Sequence, residues 1–154
     1  MAFGQGATSN GAIANPVPNE TTVGTTLNGT ASINSAGQAI AATTAQTTVP
    51  TFIVVGNAGL SGSALLAASG IAYCRMDATA SAIGGQFVTN STATAKDCHT
   101  SSTVASGQWV IGYLYDSGTT LGQPARVLVV SFTYGGSGAG CGSGTAGTLM
   151  EFAT

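Results

Sequence analysis

The chain of 154 residues carries eight charged side chains, three Lys or Arg and five Asp or Glu, which is 5% of its residues and a net charge of −2; a soluble domain averages about 25%. No basic patch is available to neutralise phosphates or to hold an anionic membrane surface, so nucleic-acid and membrane binding are excluded from the expected functions. The length suits one domain, and the dominance of Gly, Ala, Ser and Thr over large aliphatics makes its core thin.

Residues 1–48 are low in complexity, with Val23, Leu27, Ile33 and Ile40 scattered among small and polar residues. The opening MAFGQGATSNGAIANP has neither a positive region nor a continuous apolar run, so no secretory signal is expected there. Pro16 and Pro18 favour an extended path around them. So little apolar surface cannot fold by itself. The segment is expected to be an extended arm that orders on a partner or a neighbouring subunit, with room for a weakly paired strand or two.

From residue 49 short apolar runs begin. VPTFIVV (49–55), IAYCRM (71–76), QFVT (86–89), WVIGYLY (109–115) and RVLVVSFTY (126–134) each have strand length and strand composition. Turn residues bound them: Gly84-Gly85, Ser106-Gly107 and Asp116-Ser117-Gly118. In RVLVVSFTY, alternation sets Val127, Val129, Ser131 and Thr133 against Leu128, Val130, Phe132 and Tyr134. Both faces are largely apolar, as in a strand buried on both sides or at a subunit contact. The one helix candidate is Ser61–Ser69. The uncharged stretch Phe52–Ala72 is interrupted by Asn57, glycines and serines, and reads as a buried strand plus a loop rather than a membrane span. After Gly135 a Gly-rich loop leads to Thr148–Phe152, a candidate edge strand. These elements predict an all-β fold, a small β-barrel or sandwich over 49–134, with an extended N-terminal arm at 1–48 and a Gly-rich C-terminal tail at 135–154.

Little here suggests chemistry. Cys74, Cys98 and Cys141 are odd in number and widely spaced, with no CxxC pair. They are expected to be small buried hydrophobes of a reducing compartment rather than a disulfide framework. His99 is the only histidine, and as a strand neighbour of Cys98 it points to the opposite face. Asp77, Asp97 and Asp116 lie beside turn-like stretches, where local backbone hydrogen bonds favour Asp. A glycosidase needs two carboxylates flanking one bond, and nothing sets two of these together. Gly59-Leu60-Ser61-Gly62-Ser63 misses the last position of a nucleophile elbow, and the Gly-rich tail lacks the lysine of a phosphate-binding loop. No catalytic, cofactor-binding or metal residue is therefore assigned, and no cofactor is expected. The sequons at Asn19, Asn28 and Asn90 are what chance supplies in a chain rich in Asn and Thr. Trp109, inside an apolar strand, is expected in the core or at a subunit contact.

The segment Gly70–Val130 adds a resemblance. It runs from the strand GIAYCRM through an Asp-Ala-Thr turn to Gly-Gly and QFVT. A polar hairpin, STATAKD, an Ala-Ser-Gly turn and the strand opening at Val110-Ile111-Gly112 come next, and the segment closes on RVLVV. In this order it resembles the small β-barrel cement, or head-decoration, proteins of tailed bacteriophages. The resemblance implies homotrimers on the outside of an icosahedral head, clamping neighbouring major capsid proteins, with no catalytic residues. It also implies a virion protein made in the host cytoplasm.

The composition points the same way. A nearly neutral Ser/Thr surface docks on protein without stripping water from charges. A non-enzymatic capsid cement subunit is therefore the expected function. The competing readings are an extracellular fibre or pilus-like subunit, exchanging strands between copies, and a carbohydrate-binding module using Trp109 or surface tyrosines as a platform.

Overall fold

A computed structural model describes residues 11–78, 83–117 and 122–135. The predicted strand at Thr148–Phe152, the Gly-rich stretch beyond residue 135 and Cys141 fall outside these residues.

The fold is all-β. Among the described residues nine strands follow one another: β1 (Ile13–Pro18), β2 (Thr30–Ile33), β3 (Ala39–Ala41), β4 (Thr51–Gly56), β5 (Ser63–Arg75), β6 (Phe87–Asn90), β7 (Cys98–Ser101), β8 (Trp109–Leu114) and β9 (Pro124–Thr133). They pair antiparallel in the order β3-β2-β4-β5-β9-β8-β6-β7, with β1 added to β5. All five predicted runs lie in strands; four keep their limits to within two residues, whereas IAYCRM is the second half of a strand that begins eight residues earlier, at Ser63.

The sheet curls so that its β7 end comes back to the end of β5. The first half of β5 lies between β4 and β1, and its second half pairs with β9 from Gly70↔Val129 to Arg75↔Pro124. From β9 the path runs through β8 and β6 to β7. There Cys98 forms a parallel bridge with Met76, just past the end of β5, and the Asp77 amide donates to the Cys98 carbonyl at 2.9 Å. Five strands thus form a curled, barrel-like sheet joined across its gap by this bridge. Its interior holds Ile53, Ala67, Met76, Val88, Ile111, Leu114 and Val127, all buried.

A second, smaller core lies on the opposite side of β4 and β5. Ile53 faces the barrel, whereas Val54 packs with Ala31, Ala39, Ala64 and Leu66. The continuous apolar run of β4 is explained by this: both its faces are covered. In β9 only one face is. Val127 and Val129 are buried, whereas Leu128 and Val130 are 40% and 47% exposed, which corrects the expectation of a strand buried on both sides in this chain.

Two further expectations are corrected. Ser61–Ser69 is not a helix. From Ser63 it is the first half of β5, with partners on both edges, and that pairing outweighs the weak helix preference of Ala and Leu in so short a window. Nor do residues 11–48 form an arm. They supply β1, β2 and β3, and Ala12, Ala14, Ala31, Ala39, Ala41 and Ala42 are buried. Large apolar residues are scarce in this stretch, and buried alanines take their place in a small core.

The stretch from Thr25 to Thr51 wraps the barrel as a belt. The Thr30 amide donates to the Lys96 carbonyl at 2.7 Å, the Lys96 amide to Ala42 at 3.0 Å, the Arg75 amide to Asn28 at 2.8 Å and the Trp109 amide to Thr47 at 2.8 Å. Buried Asn90 holds the belt from the barrel side. Its Oδ1 accepts from the Thr30 hydroxyl at 2.6 Å, and its amide donates to the Thr43 and Gln46 carbonyls at 2.7 and 3.1 Å. Half-buried Trp109 packs on the barrel core, and its Nε1 donates to the Thr51 carbonyl at 3.0 Å.

Candidate functional site: a stapled seam and an open sheet face

Four of the chain's few ionisable groups, Arg75, Asp77, Asp97 and His99, gather where the barrel closes. Residues 74–77, at the end of β5, run beside residues 97–99, at the start of β7. Cys74 and Cys98 form a disulfide with Cα atoms 6.1 Å apart, and both residues are fully buried. This overturns the expectation of reduced, unpaired cysteines for these two. On one side of the disulfide, Arg75 grips buried Asp97, with Nε 2.6 Å and a terminal nitrogen 2.5 Å from Oδ1. On the other, the buried Asp77 carboxylate meets His99 Nδ1 at 3.1 Å and accepts a short hydrogen bond from the Ser91 hydroxyl.

Ser91, His99 and Asp77 are the residue types of a nucleophilic triad, but their order differs. In a working triad the imidazole lies between hydroxyl and carboxylate, so that it can take the hydroxyl proton. Here the carboxylate lies in the middle. With Asp77 ionised, Ser91 and His99 both donate to it. Ser91 Oγ also accepts from the Ala93 and Thr94 amides at 3.0 Å each, fixing the turn that follows β6. The arrangement satisfies a buried carboxylate and positions two backbone segments. As expected, Cys98 and His99 diverge, one into the core and one toward solvent.

Asp116, after β8, is held by Arg126 of β9. Its Oδ1 accepts from Nε at 2.8 Å, and its Oδ2 accepts from the Arg126 amide at 2.8 Å. The guanidinium hydrogen bond holds the Asp116 carboxyl below its ordinary value, and Arg126 is raised in return. The Arg126 guanidinium also lies 4.8 Å from the centre of the exposed Tyr115 ring. Glu20 is lowered by amides: Val23, then Thr22, donate to its carboxylate at 2.5 and 2.9 Å.

The outward face of β5, β9, β8 and β6 is apolar. The register sets Ile71 beside Leu128, Leu128 beside Tyr113 and Tyr113 beside Phe87, one row across four strands. The Phe87 ring lies 5.5 Å from Tyr113 and 5.6 Å from Tyr134, and Tyr113 lies 6.3 Å from Phe132. Val130 extends the patch. Elsewhere, Val17, Ile33, Phe52 and Leu66 line a shallow groove of about 150 Å³ over the smaller core. Alternation within RVLVVSFTY puts Leu128, Val130, Phe132 and Tyr134 on one face of their strand, but their neighbours Ile71, Tyr113 and Phe87 follow from register, which is not written in any one strand.

Two sequons are occupied by structure. Asn19 and Asn90 are buried, and their side-chain amides hold backbone carbonyls. Among the described residues no three His, Cys, Asp or Glu gather as a metal site, and no helix is long and apolar enough to cross a membrane. No protein-family model matches the chain, and no curated protein matches it either.

Proposed function

We propose that this chain is a non-enzymatic assembly subunit: a capsid cement protein that sits as a homotrimer on the outer surface of a tailed-phage head and bridges neighbouring major capsid proteins. The observation that carries the reading is the coincidence of a neutralised surface with an open apolar sheet face. Both arginines are tied to carboxylates within the chain, and the row Ile71-Leu128-Tyr113-Phe87 faces outward beside one of those pairs. Such a face can meet another protein with little desolvation of charge, and contiguous exposed apolar patches mark contact surfaces. The resemblance of Gly70–Val130 to head-decoration proteins supplies the particular partner. An origin in the host cytoplasm and a virion destination belong to the same proposal.

Two measurements test it. Light scattering over a range of concentrations is expected to give a discrete trimer; a persistent monomer or open-ended growth contradicts it, the latter turning the reading toward a fibre subunit. Sedimentation with capsids of the major capsid protein is expected to retain the subunit in 1 M NaCl, because few charges are available to screen. Release by salt overturns the neutral-contact argument. A glycan-array signal lost in Tyr115→Ala would instead favour the carbohydrate-binding reading.

A further inference from the structure

The seam between β5 and β7 does not depend on its disulfide alone. Three successive contacts hold the same two segments: Arg75 with Asp97, the Met76–Cys98 bridge with the Asp77 amide on the Cys98 carbonyl, and Asp77 with His99. The belt adds Arg75 to Asn28 and Thr30 to Lys96. These contacts bring the two sulfurs together whether or not they are bonded. The two cysteines are not equivalent, however. Cys74 lies in β5, paired with Ala125 of β9, and its strand runs on into the pairing with β1 and β4. Apart from the single bridge to Met76, Cys98 opens a four-residue strand whose sheet partner among the described residues is β6, at the end of the strand order. Short end strands open locally at a far smaller cost than central ones.

We propose that the disulfide is a latch closed in the already folded chain, that peeling of β7 admits the oxidant, and that Cys98 is the entry sulfur. With oxidised glutathione as the oxidant, the Cys98 thiolate attacks one of its sulfurs and releases one glutathione thiol, leaving a mixed disulfide on Cys98. When β7 returns to the seam, the Cys74 thiolate attacks the Cys98 sulfur, the Cys74–Cys98 bond forms and the second glutathione thiol leaves. Two protein thiols lose two electrons and two protons, and one glutathione disulfide becomes two thiols. Full burial of both cysteines protects the closed bond in the same way, since a reductant also waits for β7 to open. The inference is independent of the proposed function. For a chain made in a reducing compartment, it places covalent closure after release from that compartment.

The test uses the full chain, denatured, reduced and refolded with a phosphine present. The reduced chain is expected to keep the β-sheet circular dichroism and dispersed amide spectrum of the oxidised one and to melt about 10 °C lower, the shift a loop of this length supports. A reduced chain without native dispersion overturns the proposal. After removal of the phosphine, limiting oxidised glutathione is added, samples are acid-quenched, and the modified cysteine is mapped by peptide mass, which also reports Cys141 separately. Glutathione is expected on Cys98 in at least tenfold excess over Cys74, followed by the intramolecular bond. Equal labelling, or Cys74 first, overturns the assignment. Cys74→Ser should trap the Cys98 adduct, whereas Cys98→Ser should leave Cys74 slow to react; if either variant is unfolded, the order on the reduced wild-type chain decides.

Discussion

Gly112 shows how closely β8 and β9 approach. A Cβ there would lie 2.0 Å from the Leu128 carbonyl oxygen, a backbone atom that cannot swing away. Gly112→Ala is therefore expected to destabilise the chain by roughly 2–4 kcal/mol through forced displacement of the ladder, measured by urea unfolding; an unchanged midpoint would mean that the strands part without cost. The two lowered carboxylates act differently. Asp116 and Glu20 bind protons more weakly in the folded chain than when unfolded. Their contribution is thus complete above the unfolded carboxylate value near 4 and is lost as pH falls through the folded values. The Asp116→Asn, Glu20→Gln double variant should flatten the loss of thermal stability between about pH 4 and pH 2 while lowering Tm at neutral pH by only a few degrees. An acid limb as steep as that of the wild-type chain would show that these two carboxylates do not set it.

At the scale of elements, the belt is the part that sequence reading misplaced. Deleting residues 2–45 would remove β1, β2, β3 and most of the groups that seal the barrel over Asn90 and Lys96. The expected result is an unfolded or aggregated remainder rather than an independent barrel, read by circular dichroism; a cooperative melt in the truncated chain would restore the arm. A milder probe is Asn90→Ala, which takes one acceptor and two donated hydrogen bonds from the belt and should cost about 2–4 kcal/mol. The contrast in legibility has a physical source. VPTFIVV, WVIGYLY and RVLVVSFTY carry their strand character in β-branched and aromatic side chains, so they were readable. Ala31, Ala39 and Ser63–Ser69 have none, and become strands because neighbours far along the chain pair with them. The seam left one faint trace: each cysteine of the disulfide has a charged neighbour of opposite sign, Arg75 after Cys74 and Asp97 before Cys98. Nothing in their spacing requires that match, and only the curl of the sheet makes it contact.

For the whole molecule, the distribution of charge matters more than its sum. Among the described residues, both arginines are closed on carboxylates and two carboxylates are buried at the seam, which leaves few unpaired charges beside one broad apolar face. Under the proposed function, Val130→Asp puts a charge in the centre of that face without touching the barrel interior, since Val130 is nearly half exposed. The variant should melt within a few degrees of the wild-type chain yet lose assembly, whether read as trimer mass or as capsid occupancy, by tenfold or more. Unchanged assembly would move the contact to the groove beside Ile33 and Phe52.

The belt also bears on how the chain survives its own synthesis. Besides their local hydrogen bonds, Thr43, Gln46 and Thr47 are held to the barrel by Asn90 and Trp109, so the first third of the polypeptide leaves the ribosome well before the groups that dock it exist. A stretch rich in leucine or valine would be hazardous through that wait, because exposed apolar strands in incomplete chains invite aggregation. Built instead from alanine, serine, threonine and asparagine, with no charge to bury later, the nascent segment offers little for a chaperone or a neighbouring chain to grasp. The plainness that makes it look like a tether is what lets it arrive first and dock last.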